Sequence, residues 1–182
     1  MYASPPANKV QQIHSVVAQC GFCQTADAFT IQKTIDPFHF TAIARLDDMG
    51  IAPFLISSSV ILSCAQRLMR KICSHCKEPV TYPPKMYEDL GIDPGAFAGV
   101  QLHRGRGCDR CKNSGYAGRM AIIEAMTVTD SIRKLIIARA NTREVGKLAV
   151  SQGMHTLRMV ALDRVREGLS TLEQTLVITS AH

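Results

Sequence analysis

Two Cys-x-x-Cys pairs, Cys73/Cys76 and Cys108/Cys111, separated by 31 residues, constrain this chain more than any other feature. Each pair can grip one metal ion from a tight turn. Four thiolates then close a tetrahedral shell with no position left for water, so the pattern predicts a structural zinc site rather than a catalytic one. A redox pair or an iron–sulfur cluster would use the same residues. The second pair sits in Gly107-Cys-Asp-Arg-Cys-Lys-Asn-Ser-Gly115, where glycines and Asn113 let the backbone turn and aim its N–H groups at sulfur. The long spacer costs little extra loop-closure entropy once a metal clips its ends. His75 lies inside the first pair and is expected to face solvent, because four sulfurs already satisfy the ion. Cys20 and Cys23 form a third Cys-x-x-Cys with no further partner nearby and are expected to be free thiols. Cys64 is expected in the core, on an apolar helix face.

Seven cysteines could also form a disulfide framework in a secreted protein. The N-terminus, however, lacks the charged, apolar, small-residue order of a signal peptide, so a reducing, cytosolic setting is expected, peripheral to a membrane at most. The best apolar run, Phe54 to Leu62, is broken by three serines and falls short of the roughly 18 residues a spanning helix needs. The net charge of +6 would ordinarily suggest a polyanionic partner. Four thiolates around Zn²⁺ leave a local charge of about −2, which Arg104, Arg106, Arg110, Lys112 and Arg119 can balance. Only Tyr116 is interleaved as an aromatic, so nucleic acid is not the expected partner.

Periodicity divides the chain. Residues 1–40 carry Pro5, Pro6, scattered glutamines and no sustained period, and read as weakly structured. Residues 41–72 begin with a short helix bearing Ala42, Ile43 and Leu46, continue with a buried helix from Phe54 to Ser63, and end in a half-covered strand from Arg67 to Ile72. Residues 73–118 form the metal-binding unit, whose proline-rich spacer reads as an excursion from the core with one helix at Lys85–Leu90. Residues 119–128 return as a buried strand interrupted by Glu124, whose carboxylate is expected to pair with Arg119 or Arg67. Residues 129–182 carry helices with apolar stripes at Ile132/Leu135, Val145/Leu148 and Leu157/Val165, the first capped by Thr129, and Ser170/Glu173 have capping-box spacing for a last one. These stripes are expected to pack on one another as a helical bundle.

Several segments, in order, resemble one family. The run from Thr41-Ala-Ile-Ala-Arg-Leu-Asp-Asp-Met-Gly through Pro53-Phe-Leu-Ile-Ser-Ser-Ser and Ala65-Gln-Arg-Leu-Met-Arg-Lys-Ile-Cys-Ser-His-Cys-Lys is similar to the segment after the histidine box of the type II secretion and type IV pilus assembly ATPases. Gly107-Cys-Asp-Arg-Cys-Lys-Asn-Ser-Gly-Tyr-Ala-Gly-Arg, followed by Ile122-Ile-Glu, resembles their tetracysteine return. The stretch from Gly153-Met-His-Thr-Leu-Arg to Glu167-Gly-Leu-Ser-Thr-Leu-Glu-Gln resembles their C-terminal helices. The resemblance implies an α/β fold, namely the C-terminal part of a RecA-like ATPase domain with a tetracysteine zinc subdomain. It also implies a subunit of a hexameric ring that hydrolyses ATP with Mg²⁺ at the cytoplasmic face of the inner membrane. Such a ring works with platform proteins there and drives pseudopilin or pilin assembly.

The departures from the family shape the functional expectation. The sequence contains no G-x-x-x-x-G-K-[ST] loop to cradle nucleotide phosphates. Where the family has Leu-His-Thr-Asn, this chain reads Ile35-Asp-Pro-Phe-His-Phe, with His39 as a remnant of the box. A truncated gene, or a frame change before Thr41, would produce this pattern, and so would a dedicated regulatory module. The expected product is catalytically incomplete, with no nucleophile–base pair or open metal site to make it an enzyme by another route. Gln66, Arg67, Arg119 and Arg158 are candidates for a ring interface or a nucleotide edge, against the plainer reading of solvated element faces. The alternative function is a stand-alone zinc-ribbon module for nucleic acid, resting on the basic balance and the four cysteines alone.

Overall fold

The computed structural model describes residues Phe40–Thr179. The expectations for Cys20, Cys23, His39 and the N-terminal segment fall outside the described residues. Helix α1 (Phe40–Asp48) and helix α2 (Pro53–Ser59) lead into strand β1 (Leu62–Ile72). The stretch between Cys73 and Cys111 holds short strands β2 (Lys77–Pro79) and β3 (His103–Gly105) around helix α3 (Pro84–Leu90). Strand β4 (Tyr116–Thr127) then returns antiparallel to β1, and helices α4 (Asp130–Ile137), α5 (Thr142–Ser151), α6 (Leu157–Arg166) and α7 (Leu172–Thr179) follow.

The long β1–β4 ribbon is the frame. Its register runs from Leu62↔Thr127 to Arg70↔Arg119 and then slips, so that Ile72 faces Tyr116. One extra residue on β4 absorbs the slip, and Gly118, at φ +80°, supplies the left-handed conformation that such a bulge needs. Away from the bulge alternation is clean on both strands. Ser63, Ala65, Arg67 and Met69 share the covered face with Ile122, Glu124 and Met126, while Leu62, Cys64, Gln66 and Leu68 point outward beside Ala121 and Ile123. Two sequence expectations change here. β4 is buried on one face only, and Cys64 is exposed on a strand rather than packed on a helix, because the helix expected to reach Ser63 ends at Ser59 and the chain extends to pair with β4.

The covered face feeds two apolar clusters. At one end Met69 and Ile122 pack with Leu157, Ala161, Leu162 and Val165 of α6 and Leu172 and Ile178 of α7. At the other, Met126 and Val128 pack with Ile56 of α2, Ile132 and Ile136 of α4, and Val145 and Ala149 of α5. The C-terminal stripes therefore pack in two groups, α4 with α5 and α6 with α7, rather than as the one bundle expected. Each joins whichever end of the ribbon its loop delivers it to. The spacer is also more than an excursion, since Tyr82, Leu90, Phe97 and Leu102 lie in the first cluster. Burying such side chains stabilises by about 1.5–3 kcal/mol each, enough to tie the spacer to the body.

Glu124 sits between the clusters, only 1% exposed. Its Oε2 accepts from the Leu157 amide at 2.8 Å, at the start of α6 where the backbone N–H groups lack helical partners. Arg119 lies on the opposite face of β4, so the expected pairing with it does not form, whereas Arg67 shares the covered face. Replacing Glu124 with Ala is expected to cost about 1–3 kcal/mol by stranding that buried amide, and Gln to cost less because it keeps an acceptor. Urea midpoints of the two variants check the ranking.

Candidate metal centre

Strand pairing brings the four cysteines together. Cys73 and Cys76 follow directly from the end of β1, and Cys108 and Cys111 precede the start of β4, so the ribbon delivers both pairs to one end. The Cys73 amide donates to the Gly115 carbonyl at 3.0 Å, and the Arg106 amide to the Cys76 carbonyl at 2.9 Å, which fixes the two turns against each other. The pair β2/β3 extends this crossing, with Lys77 opposite Gly105. Cys108 caps a single 3-10 turn, and Lys112 and Asn113 both adopt positive φ as the chain doubles back.

The four Sγ atoms lie within 4.8 Å of one another. Cys73–Cys108 measure 3.9 Å, Cys76–Cys111 3.8 Å and Cys108–Cys111 3.7 Å. A tetrahedral ion with metal–sulfur bonds of about 2.3 Å requires sulfur–sulfur edges of about 3.8 Å, which these three edges match. Three of the cysteines are buried and Cys108 is half-buried. Backbone amides serve the sulfurs: Gly107 donates to Cys76 Sγ at 3.3 Å and Cys108 to Cys111 Sγ at 3.2 Å. Burial pushes the Cys76 thiol up, with the neighbouring thiols adding to the push and the Gly107 amide opposing it. Burial acts on Cys111 in the same direction, yet the amides of Cys108 and Gly115 and the thiols of Cys108 and Cys76 outweigh it and favour the thiolate. The four residues can hold a metal ion.

Contacts that the sequence did not signal brace the centre. Tyr116 Oη lies 2.8 Å from Thr171 Oγ1, Ser170 Oγ donates to the Arg70 carbonyl at 2.7 Å, and the Ile72 amide donates to the Leu169 carbonyl at 2.9 Å. Tyr82 Oη donates to Glu173 Oε2 at 2.9 Å, and burial, with the Glu173 charge beside it, holds that phenol protonated. Thus Glu173 is a brace instead of half a capping box, and Thr171 accepts from the Gln174 amide in place of Ser170. The only available hint was the run of small polar residues at Ser170-Thr171, all but fully buried between two apolar leucine positions.

His75 is exposed as expected, with Arg110 Nη1 3.1 Å from its Nδ1. The other candidate residues are not gathered into one site. Gln66 and Arg119 are exposed on the outer face of the ribbon, four rungs apart, whereas Arg67 is half-buried on the covered face. Arg158 is half-buried on α6 and reaches toward Gly91 at the end of α3.

A ribbon closed at one end by four thiols and backed by helices at both ends defines an α/β protein with a closed four-cysteine knuckle. The chain belongs to the family described as type II/IV secretion system protein, whose model matches residues 39–177. It is 42% identical over 138 residues to the type IV pilus assembly ATPase PilB of Thermus thermophilus, which covers 76% of this chain and 16% of that protein. It is 41% identical over 138 residues to the type II secretion system protein E of Pseudomonas aeruginosa, covering 76% of this chain and 27% of that protein. The type II secretion system ATPase E of Vibrio cholerae is 37% identical over 141 residues, with the same 76% and 27% shares. The chain therefore spans from about a sixth to a quarter of the length of these relatives. Among the described residues no helix is long and apolar enough to cross a membrane.

Proposed function

We propose that this chain is the zinc-clasped C-terminal portion of a type II secretion or type IV pilus assembly ATPase, with zinc as a structural ion on Cys73, Cys76, Cys108 and Cys111. The observation that carries the reading is the gathering of four sulfurs within 4.8 Å of one another, three of their separations at the edge length of a zinc tetrathiolate, in a family of secretion proteins. These ligands leave no coordination site for substrate, so the ion's work is to close the knuckle. By its family, the setting is a hexameric ring at the cytoplasmic face of the inner membrane, in contact with platform proteins, where the complete ATPase couples hydrolysis to pilin or pseudopilin assembly. Metal analysis of the purified protein is expected to return about one zinc per chain, and Cys108→Ser to release it and to open residues 73–118 to protease. Native mass spectrometry with no metal on the unmodified chain would end this reading.

The catalytic part of the proposal is negative. Phosphoryl transfer depends on a phosphate-cradling loop, its lysine and a held Mg²⁺, and the sequence contains no such loop. The purified chain is expected to show no ATP hydrolysis. Magnesium-dependent turnover that persists after contaminating ATPases are removed, and that rises with ring assembly, contradicts this. The alternative, a zinc module for nucleic acid, predicts tight and salt-dependent DNA or RNA binding at physiological salt.

A further inference from the structure

The arginines and lysines around the knuckle do not serve its sulfurs. The amides of Gly107 and Cys108 fill that role, and among the described residues no guanidinium or ammonium group is bonded to Cys73, Cys76, Cys108 or Cys111. Arg70, Lys71, Arg106, Arg110, Lys112 and Arg119 are all exposed, and among the described residues none of the six pairs with a carboxylate. Asp109 is the only acid in the two stretches that carry them, residues 70–77 and 106–119. A tetrathiolate ion of about −2 leaves this end of the molecule positive.

Arg70 and Arg119 are also direct cross-strand partners. Like charges in that position destabilise a sheet, so the pairing opposes folding and calls for an anion to offset it. Arg70 is held in place by stacking over the Tyr116 ring at 4.6 Å, and its fork is thereby presented rather than left to wander.

We propose that this basic face of the knuckle is a docking surface for an acidic segment of a partner protein. Two observations select a polypeptide over other polyanions. The stretch from Ile72 to Gly118 exposes no large hydrophobic side chain, and the exposed Leu68 and Ile123 lie beyond Arg70 and Arg119 along the ribbon, away from Arg106, Arg110 and Lys112, so the basic cluster carries no anchor of its own to insert into a bilayer. Tyr116, the aromatic at this end, is covered by Arg70 and offers no open ring for a base to stack on. What remains is a set of mainly arginine forks, which match carboxylates in a bidentate fashion, and repulsion within the set that a run of Glu or Asp would relieve.

The proposal rests on the metal centre above, and its test separates the two. A labelled oligoglutamate peptide is titrated into the full zinc-loaded chain at physiological ionic strength, followed by anisotropy, with metal content measured on every sample. The double variant Arg106→Glu/Arg110→Glu is expected to weaken binding by about tenfold or more. Lys134→Glu/Lys147→Glu, with the same charge change on exposed positions of α4 and α5, is expected to change it less than about twofold. If the first variant loses zinc, Arg119→Glu on β4 replaces it. Equal losses in the two doubles reduce the effect to net charge and overturn the dock. So does tighter binding of the unmodified chain to phosphatidylglycerol vesicles or to duplex DNA than to the peptide. A zinc-loaded chain that fails to bind peptide sinks the dock alone, whereas a chain without metal sinks both.

Discussion

Stripping the metal with a chelator is expected to melt the knuckle together with α6 and α7, while α4 and α5 keep their protection. The division follows the two apolar clusters. Tyr82, Leu90, Phe97 and Leu102 of the spacer are packed with Leu157, Val165 and Leu172, and Tyr82 and Tyr116 hydrogen-bond to Glu173 and Thr171 of the last helix and its entry. Without the ion the spacer loses the clip that shortens its loop, and the apolar surface it lends to α6 and α7 goes with it. Structural zinc contributes about 10–16 kcal/mol of apparent binding energy in small folded units, as much as the whole stability of a typical domain. Ile132, Ile136, Val145 and Ala149 draw on Ile56 and Met126 instead and have no spacer residue in their cluster. Hydrogen exchange read peptide by peptide checks this. Protection surviving in residues 157–179 after complete zinc removal is incompatible with it, and simultaneous loss in residues 130–151 would merge the two clusters into one cooperative unit.

The second large effect is a single methyl group. A Cβ added at Gly105 would lie 1.9 Å from the Gly115 carbonyl oxygen and 2.7 Å from its Cα, both backbone atoms that no rotamer change can move. This crossing is what sets β3 against the entry to β4, so Gly105→Ala is expected to push the two cysteine turns apart. The overpacking cost is about 3 kcal/mol or more, and zinc affinity should fall by about a hundredfold. Gly118→Ala is the matched control, since nothing lies within 4 Å of its Cβ and only the positive φ is penalised. That strain costs about 1–2 kcal/mol and leaves the metal bound. Competition against a zinc-binding dye ranks the pair, and equal affinities would show that the turns can part without losing the ion.

Much of this site was legible before any fold was known. That four cysteines gather at one point follows from their spacing, and one cap from local chemistry, where Thr129 accepts from the Ile132 amide. Helix α3 falls at Pro84–Leu90, one residue from its expected start. The misses share a cause. The run from Phe54 to Ser63 is apolar and rich in small residues, and nothing local says that the helix ends at Ser59 and that Leu62 onward must pair with β4 some sixty residues away. Tyr82, Phe97 and Leu102 stand in the proline-rich spacer without a period, so they read as loop, although all three are core.

The amino-acid sequence alone settled the chemistry: which atoms can hold an ion, where helices begin, and which family the chain resembles. Those properties depend on residues near one another along the chain, where spacing and capping act directly. The tertiary structure alone settled the partners: that Leu157 and Ile132 belong to different clusters, that Glu124 meets the start of α6, and that Ser170, Thr171 and Glu173 brace the knuckle. A helical or strand period tells which face is buried and is silent on what covers it. The covering surface is chosen by the register of β1 against β4, a long-range pairing that no local pattern encodes.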